Sequence, residues 1–330
     1  MGGSGDQNGG TGAREAAPPP RNPTVTMTLF AYNQEAFIRD AVLGAFAQTY
    51  QPLEIILSDD CSTDRTFEIM QDLVDAYRGP HRVILRRNAQ NMGVIPHYNL
   101  VFGMVEAEII VFAAGDDISL PQRTATLVRR LQEDPRAVLV HSSTQTIDAA
   151  GKQGGPFAPP VQSDDPDPRQ LAYAMAIYIG ATGAFRRDFF QRFGPIVHVE
   201  TYEDIILGFR AALVGGLRYI DEPLVLYRTD VGVSFVQSRK QPDWRAQRVR
   251  LMTRRIATLS QRLADLDRSE HPDRQTIARM LRHRLWRLGA QRDYLTDRAA
   301  FWKGLASMRF PAYAMAWLAE TRFRTMRLYK

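Results

Sequence analysis

Between Thr24 and about Arg130 the chain repeats one pattern four times: a short, nearly continuous apolar run, a polar turn, then a longer segment with helical periodicity. The runs TVTMTLFAY, LEIILS, RVILR and EIIVFAA are expected to be strands. Glu35 to Gln48, Asp64 to Tyr77, Ile95 to Val105 and Pro121 to Gln132 are expected to be helices. Strands that are apolar on both faces, each followed by a helix, predict an α/β fold with a mainly parallel sheet and helices on both sides. Such sheets bind ligands outside the carboxyl ends of their strands, so the residues just after each strand are where chemistry is to be sought.

Those residues are AYNQE, SDDCSTD, RRNAQNMG and AGDDISLP. In the second turn, Ser62, Thr63 or Asp64 suits a helix cap. A cap does not account for Asp59 and Asp60, adjacent carboxylates placed where they suit the N–H of a pyrimidine or the hydroxyls of a ribose. In the fourth turn, Gly115 and Asp116 suit a tight turn and Pro121 a helix start. The chemical alternative is that a carboxylate there holds a hard divalent cation, which in turn binds a diphosphate through oxygen. Further on, Glu203 and Asp204 open the segment TYEDIILGFR. Their charge alone would favour a helix N-terminus, and a carboxylate so placed also suits a general base aimed at an acceptor hydroxyl.

Beyond Arg130 the pattern loosens. AVLVHSSTQTI reads as a strand, Gly151 to about Pro168 as a Gly/Pro-rich loop, and AIYIGATGAF as an apolar segment leading to a short helix near Arg187. LRYI and PLVLYR read as a short strand pair closing the sheet domain near Ser234. From Arg239 to Lys330 there are 22 Lys+Arg against 8 Asp+Glu, whereas the residues before Arg239 are net acidic. This basic part holds Trp244, Trp286, Trp302 and Trp317, and its two long segments read as basic amphipathic helices. Three regions are therefore expected: a disordered Gly/Pro-rich lead over 1–22, a sheet domain over 23–235, and a basic helical extension over 236–330.

The extension either packs on the acidic sheet domain or docks on an anionic membrane surface. It lacks zinc-finger, RRM or KH signatures, which disfavours nucleic acid. No stretch reaches the roughly 18 to 20 apolar residues a spanning helix needs. The single cysteine, Cys61, forms no internal disulfide, and a reducing cytoplasm is the expected location, with peripheral attachment to the inner face of the membrane.

The turn motifs resemble one family as an ordered set. AYNQE, then DDCSTD, then Asn-x-Gly in NMG, then GDD followed by LP, then ED, then YR, is similar to the inverting family 2 glycosyltransferases of GT-A fold, over about Pro23 to Ser234. The resemblance implies a nucleotide-sugar donor, with UDP favoured, a glycan or lipid-linked glycan acceptor, and Mn²⁺ or Mg²⁺ as cofactor. It implies that Tyr32 stacks on the base, that Asp59 and Asp60 read base and ribose, and that Arg87 and Asn91 approach the nucleotide sugar. It further implies Asp116, with Asp117, as metal ligand, Asp204 as catalytic base and Glu203 as acceptor-orienting. The acceptor is expected near Tyr178 to Phe185 and the loop after Gly151.

Two positions depart from the family. Ala114 replaces the first Asp of Asp-x-Asp, and Arg228-Thr229-Asp230 stands where Arg-x-His is frequent. Arg228 is expected to supply positive charge to the diphosphate. A sugar nucleotidyltransferase would need a glycine-rich first turn, and FAYNQE has none. The other alternative is a non-catalytic protein that binds nucleotide sugar, membrane or RNA on the same scaffold.

Overall fold

The computed structural model describes residues 22–229, 231, 243–306 and 314–315. The four expected strands form as β1 (Val25–Ala31), β2 (Leu53–Asp59), β3 (Arg82–Arg87) and β4 (Ile109–Ala114), all parallel. The helices between them are α1 (Ile38–Phe46), α2 (Thr66–Ala76), α3 (Val94–Met104) and α4 (Arg123–Glu133). The register sets Ala31 beside Asp59 and Asp59 beside Arg87, with Phe30 beside Ala114, so the carboxyl ends of all four strands meet along one edge.

Every residue of β1 is buried, because its alternate side chains enter two different cores. Met27 and Leu29 join Ile55, Leu57 and Val111 under α1, α2 and α4. Phe30 joins Ile56, Ile110 and Phe112 on the opposite face, with Phe102 of α3.

The rest of the sheet is β5 (Ile118–Ser119), β6 (Leu139–Ile147), β7 (Gln153–Phe157), β8 (Ala184–Arg186) and β9 (Leu217–Arg228), giving the order β3-β2-β1-β4-β8-β6-β9-β5 with β7 on β6. Strand β8 runs antiparallel to β4 and β6, β5 antiparallel to β9, and β7 antiparallel to β6; the long β6/β9 pair is parallel. Two sequence expectations are corrected here. LRYI and PLVLYR are one strand, not a pair: the register slips between Ser142↔Ile220 and Ser143↔Pro223, so Asp221 and Glu222 are absorbed as a bulge and the chain runs on. The Gly/Pro-rich loop contains the exposed edge strand β7, with Pro156 tolerated because it lies at an edge.

Between β7 and β9 come α5 (Pro168–Leu171), a 3-10 turn at Gly180–Thr182, α6 (Arg187–Phe193) and α7 (Glu203–Leu213). The basic extension forms α8 (Trp244–Leu266), α9 (Arg274–Thr296) and α10 (Arg298–Ala306). Its helices are not apart from the sheet. Leu259, Leu266, Ile277, Leu281 and Leu288 share one core with Phe185, Phe193 and Phe209. Arg210 of α7 and Asp265 of α8, both fully buried, pair through two hydrogen bonds of 2.9 Å. Gln261 accepts the backbone N–H groups of Val197 and His198, and Thr201 bonds Thr258. The expected lead lies, but for Asn22, outside the described residues, as do Trp317, Asp230 and Ser234. No helix among the described residues is long and apolar enough to cross a membrane.

Candidate active site

The first two turns lock together. Residues 35–37, expected to be helical, instead precede α1 as a turn, freeing their backbone to bond across. Asn33, at φ 51°, donates its N–H to Ser62 Oγ at 2.9 Å and accepts the N–H of Thr63 at 2.8 Å. Gln34 and Glu35 donate theirs to Thr66 Oγ1 and Asp64 Oδ2. Tyr32 stands half-buried at the head of this turn.

Asp59 and Asp60 both face inward. Asp59 accepts the N–H and hydroxyl of Ser62 and pairs with Arg87 Nε at 3.2 Å, and its side chain is fully buried. Asp60 accepts Asn88 Nδ2 at 2.6 Å and the backbone N–H groups of Met92 and Gly93 at 2.9 Å. Asp59, expected with Asp60 to read the nucleotide, has no exposed side-chain surface and braces the second turn against β3. Asp60 retains lone-pair capacity on Oδ2 and shapes the NMG turn, where Gly93 has φ +80°. Asn91 is exposed and accepts the N–H of Gly93.

Arg87 is expected to approach the nucleotide sugar. It donates to the Ser62 carbonyl and lies 5.1 Å from the Phe67 ring, on the α2 side of the sheet. Its neighbour Arg86, on the other side, binds Ser58 Oγ and Asn88 Oδ1, and its charge lies within reach of Asp60. His97 closes that group at 2.6 Å from Ser58 Oγ; burial pushes its imidazole down to about 4, so it is neutral at physiological pH.

Asp116 and Asp117 part company. Asp117 is buried and accepts the N–H of Arg228 at 2.8 Å, fastening β9 to the end of β4. Asp117, expected to share a cation with Asp116, is thus also a structural anchor between the two strands. Asp116 is half-buried; burial raises its carboxyl, and the Gln34 amide and the Arg228 charge pull it partly back. Among the described residues no group of three or more His, Cys, Asp or Glu side chains is arranged to hold a metal. That donor set fits a hard cation held by Asp116, with phosphate oxygens and water completing its shell, and does not fit an all-protein cage. Arg228 is buried, its guanidinium bonded to the carbonyls of Asp116 and Asp148 and lying 4.7 Å from the Phe37 ring. Its charge bears on Asp116, and it also pairs with Asp40 at 3.5 Å.

Glu203 and Asp204 form the first turn of α7. Asp204 accepts the N–H of Ile205 at 2.7 Å, and burial raises its carboxyl to about 6 against the pull of backbone donors and the Arg262 charge. Burial and the neighbouring Asp204 push Glu203 well above the usual carboxylate range. Gly180 lies opposite them, and a Cβ there would meet Glu203 Oε1 and make that side chain shift.

Three tyrosines tie the acids into one site. Tyr98 of α3, half-buried, has its hydroxyl raised well above its ordinary value by burial and by Glu203, Asp116, Asp204 and Asp60 together. Tyr178 faces Glu203 and Asp204, and Tyr227, pushed up to about 12 by burial, faces Asp117, Asp116 and Asp204. Acids from the ends of β2 and β4 and the start of α7 thus converge around Tyr98, which sequence reasoning missed. Nothing marks it there, because α3 is apolar on most sides and its one tyrosine reads as core. Arg262 was missed for a different reason: it looks like one more surface arginine, yet it is fully buried and donates to the carbonyls of Leu171, Ala172 and Ile205.

Residues 28–194 match the family described as Glycosyl transferase family 2. An Escherichia coli relative, the β-1,3-glucosyltransferase WfaP, named for UDP-Glc and α-D-GlcNAc-diphosphoundecaprenol, is 32% identical over 93 residues, covering 28% of this chain and 35% of its own. Relatives from Mycobacterium tuberculosis and Nostoc match over 62% of this chain, which spans 58% and 64% of their lengths. Among solved structures, S. aureus TarS 1-349 in complex with UDP-GlcNAc superposes with TM-score 0.57 at 14% identity, covering 89% of this chain and 79% of that one. The Pyrobaculum calidifontis mannosyltransferase PcManGT in complex with GDP-Man and Mn²⁺ does so with TM-score 0.54 at 19% identity, covering 93% and 82%. With the ordered turn motifs now lying along one sheet edge and residues 28–194 matching the family model, the chain belongs to glycosyl transferase family 2 and has the GT-A fold.

Proposed function

We propose that the chain moves a sugar from a nucleoside-diphosphate sugar, with UDP the favoured nucleotide, to a hydroxyl of a glycan or lipid-linked glycan, with inversion at the anomeric carbon. The observation that carries this reading is Asp204: a carboxyl at a helix start, raised to about 6 by burial, close enough to Asp116 for both to act on the Tyr98 hydroxyl. Such a carboxyl is ionised at neutral pH and basic enough to take the proton of the attacking hydroxyl. Burial and the neighbouring Asp204 favour the protonated form of Glu203, which can donate a hydrogen bond that orients the acceptor. Tyr32 and Asp60 bound the place for the nucleotide, and Asn91 with the NMG turn bounds that for the sugar. Mn²⁺ or Mg²⁺ on Asp116 would neutralise charge on the departing diphosphate. Arg228 stiffens the support under Asp116.

The names of WfaP and of the TarS and PcManGT complexes support the donor class, the acceptor class and a divalent ion. The basic helices and the exposed Trp302 support peripheral attachment to an anionic membrane from the cytoplasmic side. Calorimetry with UDP, GDP and dTDP, each with and without Mn²⁺, on the wild type and on Asp116→Ala tests the donor site. Metal-dependent binding of one nucleotide, lost in the variant, is expected; if no nucleotide binds under any metal condition, the reading fails.

A further inference from the structure

One run of hydrogen bonds crosses from α3 to the second turn. His97 Nε2 lies 2.6 Å from Ser58 Oγ. Ser58 is the register partner of Arg86 across β2 and β3, and Arg86 donates through Nη1 to Ser58 Oγ and through Nη2 to Asn88 Oδ1. Asn88 Nδ2 then donates to Asp60 Oδ1 at 2.6 Å. A serine beside a histidine suits a nucleophile and its base, but Ser58 has no exposed surface, so no substrate can meet its hydroxyl. The run leads instead to Asp60.

Counting donors fixes the sense of each bond. Arg86 can only donate, so Ser58 Oγ and Asn88 Oδ1 both accept, and the Asn88 amide is thereby turned with its NH₂ toward Asp60. Asp60 Oδ1 also accepts the N–H of Met92, which fills both of its lone pairs, and Oδ2 accepts that of Gly93, which leaves one. The Ser58 proton has one acceptor among the described residues, His97 Nε2. His97 Nδ1 has no hydrogen-bond partner there in either tautomer, so the Ser58 hydroxyl decides: the imidazole is neutral and carries its proton on Nδ1. A proton on Nε2 would turn two donors on Oγ and leave the buried Ser58 proton unpaired. We propose that His97, through Ser58, Arg86 and Asn88, is a positioning residue for Asp60, holding the carboxylate so that the open lone pair of Oδ2 meets an N–H or hydroxyl of the nucleotide. This assignment deepens the proposed function and rests on it for the nucleotide.

Two measurements test it. Nitrogen NMR of the full chain labelled at histidine, with His97 assigned by its contacts to the Phe30 ring, needs no variant. It is expected to show Nδ1 protonated and Nε2 bare; a proton on Nε2 overturns the proposal. Calorimetry of UDP, GDP and dTDP with Mn²⁺ then compares the wild type with His97→Phe, Ser58→Ala and the double variant, circular dichroism verifying the fold. Phenylalanine keeps the edge-on contact of the ring with Phe30, at 5.1 Å and 85°, and removes the acceptor. Each single variant is expected to weaken the nucleotide that binds by about three- to tenfold. The double variant is expected to bind no more weakly than the weaker single one, because once either link is gone the other no longer acts on Arg86. Losses that multiply in the double variant, or wild-type affinity in a folded single variant, overturn the positioning role and leave the donor site standing. If the wild type binds none of the three nucleotides, the proposed function fails and the positioning role with it.

Discussion

Two pairs of adjacent acids stand at the site, and they are built in opposite ways. Asp59 and Asp60 take six contacts between them, from Ser62, Arg87, Asn88, Met92 and Gly93. Glu203 and Asp204 have only the backbone donors of their own helix start and of Gly180, with one cation, Arg262, acting from behind. A buried carboxylate surrounded by donors is content as an anion and serves as framework. One that is buried with few donors holds its proton longer and is suited to exchanging it with a substrate.

The largest effect expected from that contrast is on rate. Asp204→Asn should lower kcat/KM by about 10²- to 10⁴-fold with folding intact, read in a product assay alongside circular dichroism. Asp59→Ala should do the reverse: it leaves buried donors unpaired, costs about 1–3 kcal/mol, and shows itself first as a lower Tm. If Asp59→Ala proved fully stable, the framework role assigned to it would be wrong.

The pH dependence sharpens the comparison. Both α7 carboxyls are raised on folding, so their protonated forms are favoured in the folded chain. The stability present below their unfolded values of about 4 is lost as pH rises, through about 6 for Asp204 and higher for Glu203. Glu203→Gln should therefore raise Tm at pH 8 and leave it nearly unchanged at pH 4. In the wild type, kcat/KM should climb with pH through an apparent value near 6, and Arg262→Met, by removing the positive charge behind Asp204, should move that limb to higher pH. An unmoved limb in a folded Arg262→Met protein would show that Arg262 only supports α7. The smallest change expected is for Tyr98→Phe, a roughly three- to tenfold loss in kcat/KM with no shift in Tm.

The sheet edge was legible because a parallel strand buried on both faces needs an unbroken apolar run, and the chemistry then has to follow it. The division of labour among the site residues was not. Val83, Ile84 and Leu85 are all apolar, so periodicity cannot say which way β3 faces, and with it whether Arg86 or Arg87 turns toward Asp60. The adjacent acids in SDDCSTD and GDD look alike in one dimension; only the register with β3 and β9 shows that Asp59 and Asp117 are the members bonded to those strands. LRYI and PLVLYR read as two strands because Pro223 looks like a break, whereas a bulge lets one strand pass through it.

Arg210 and Asp265 have no exposed surface, and they join a helix of the sheet domain to a helix of the basic extension. A chimera that grafted the extension of one relative onto the sheet of another would have to match this pair, or bury a bare charge at a cost of several kcal/mol. The two regions are thus bound to be exchanged, inherited and expressed as one piece, even though only the first carries the family's motifs.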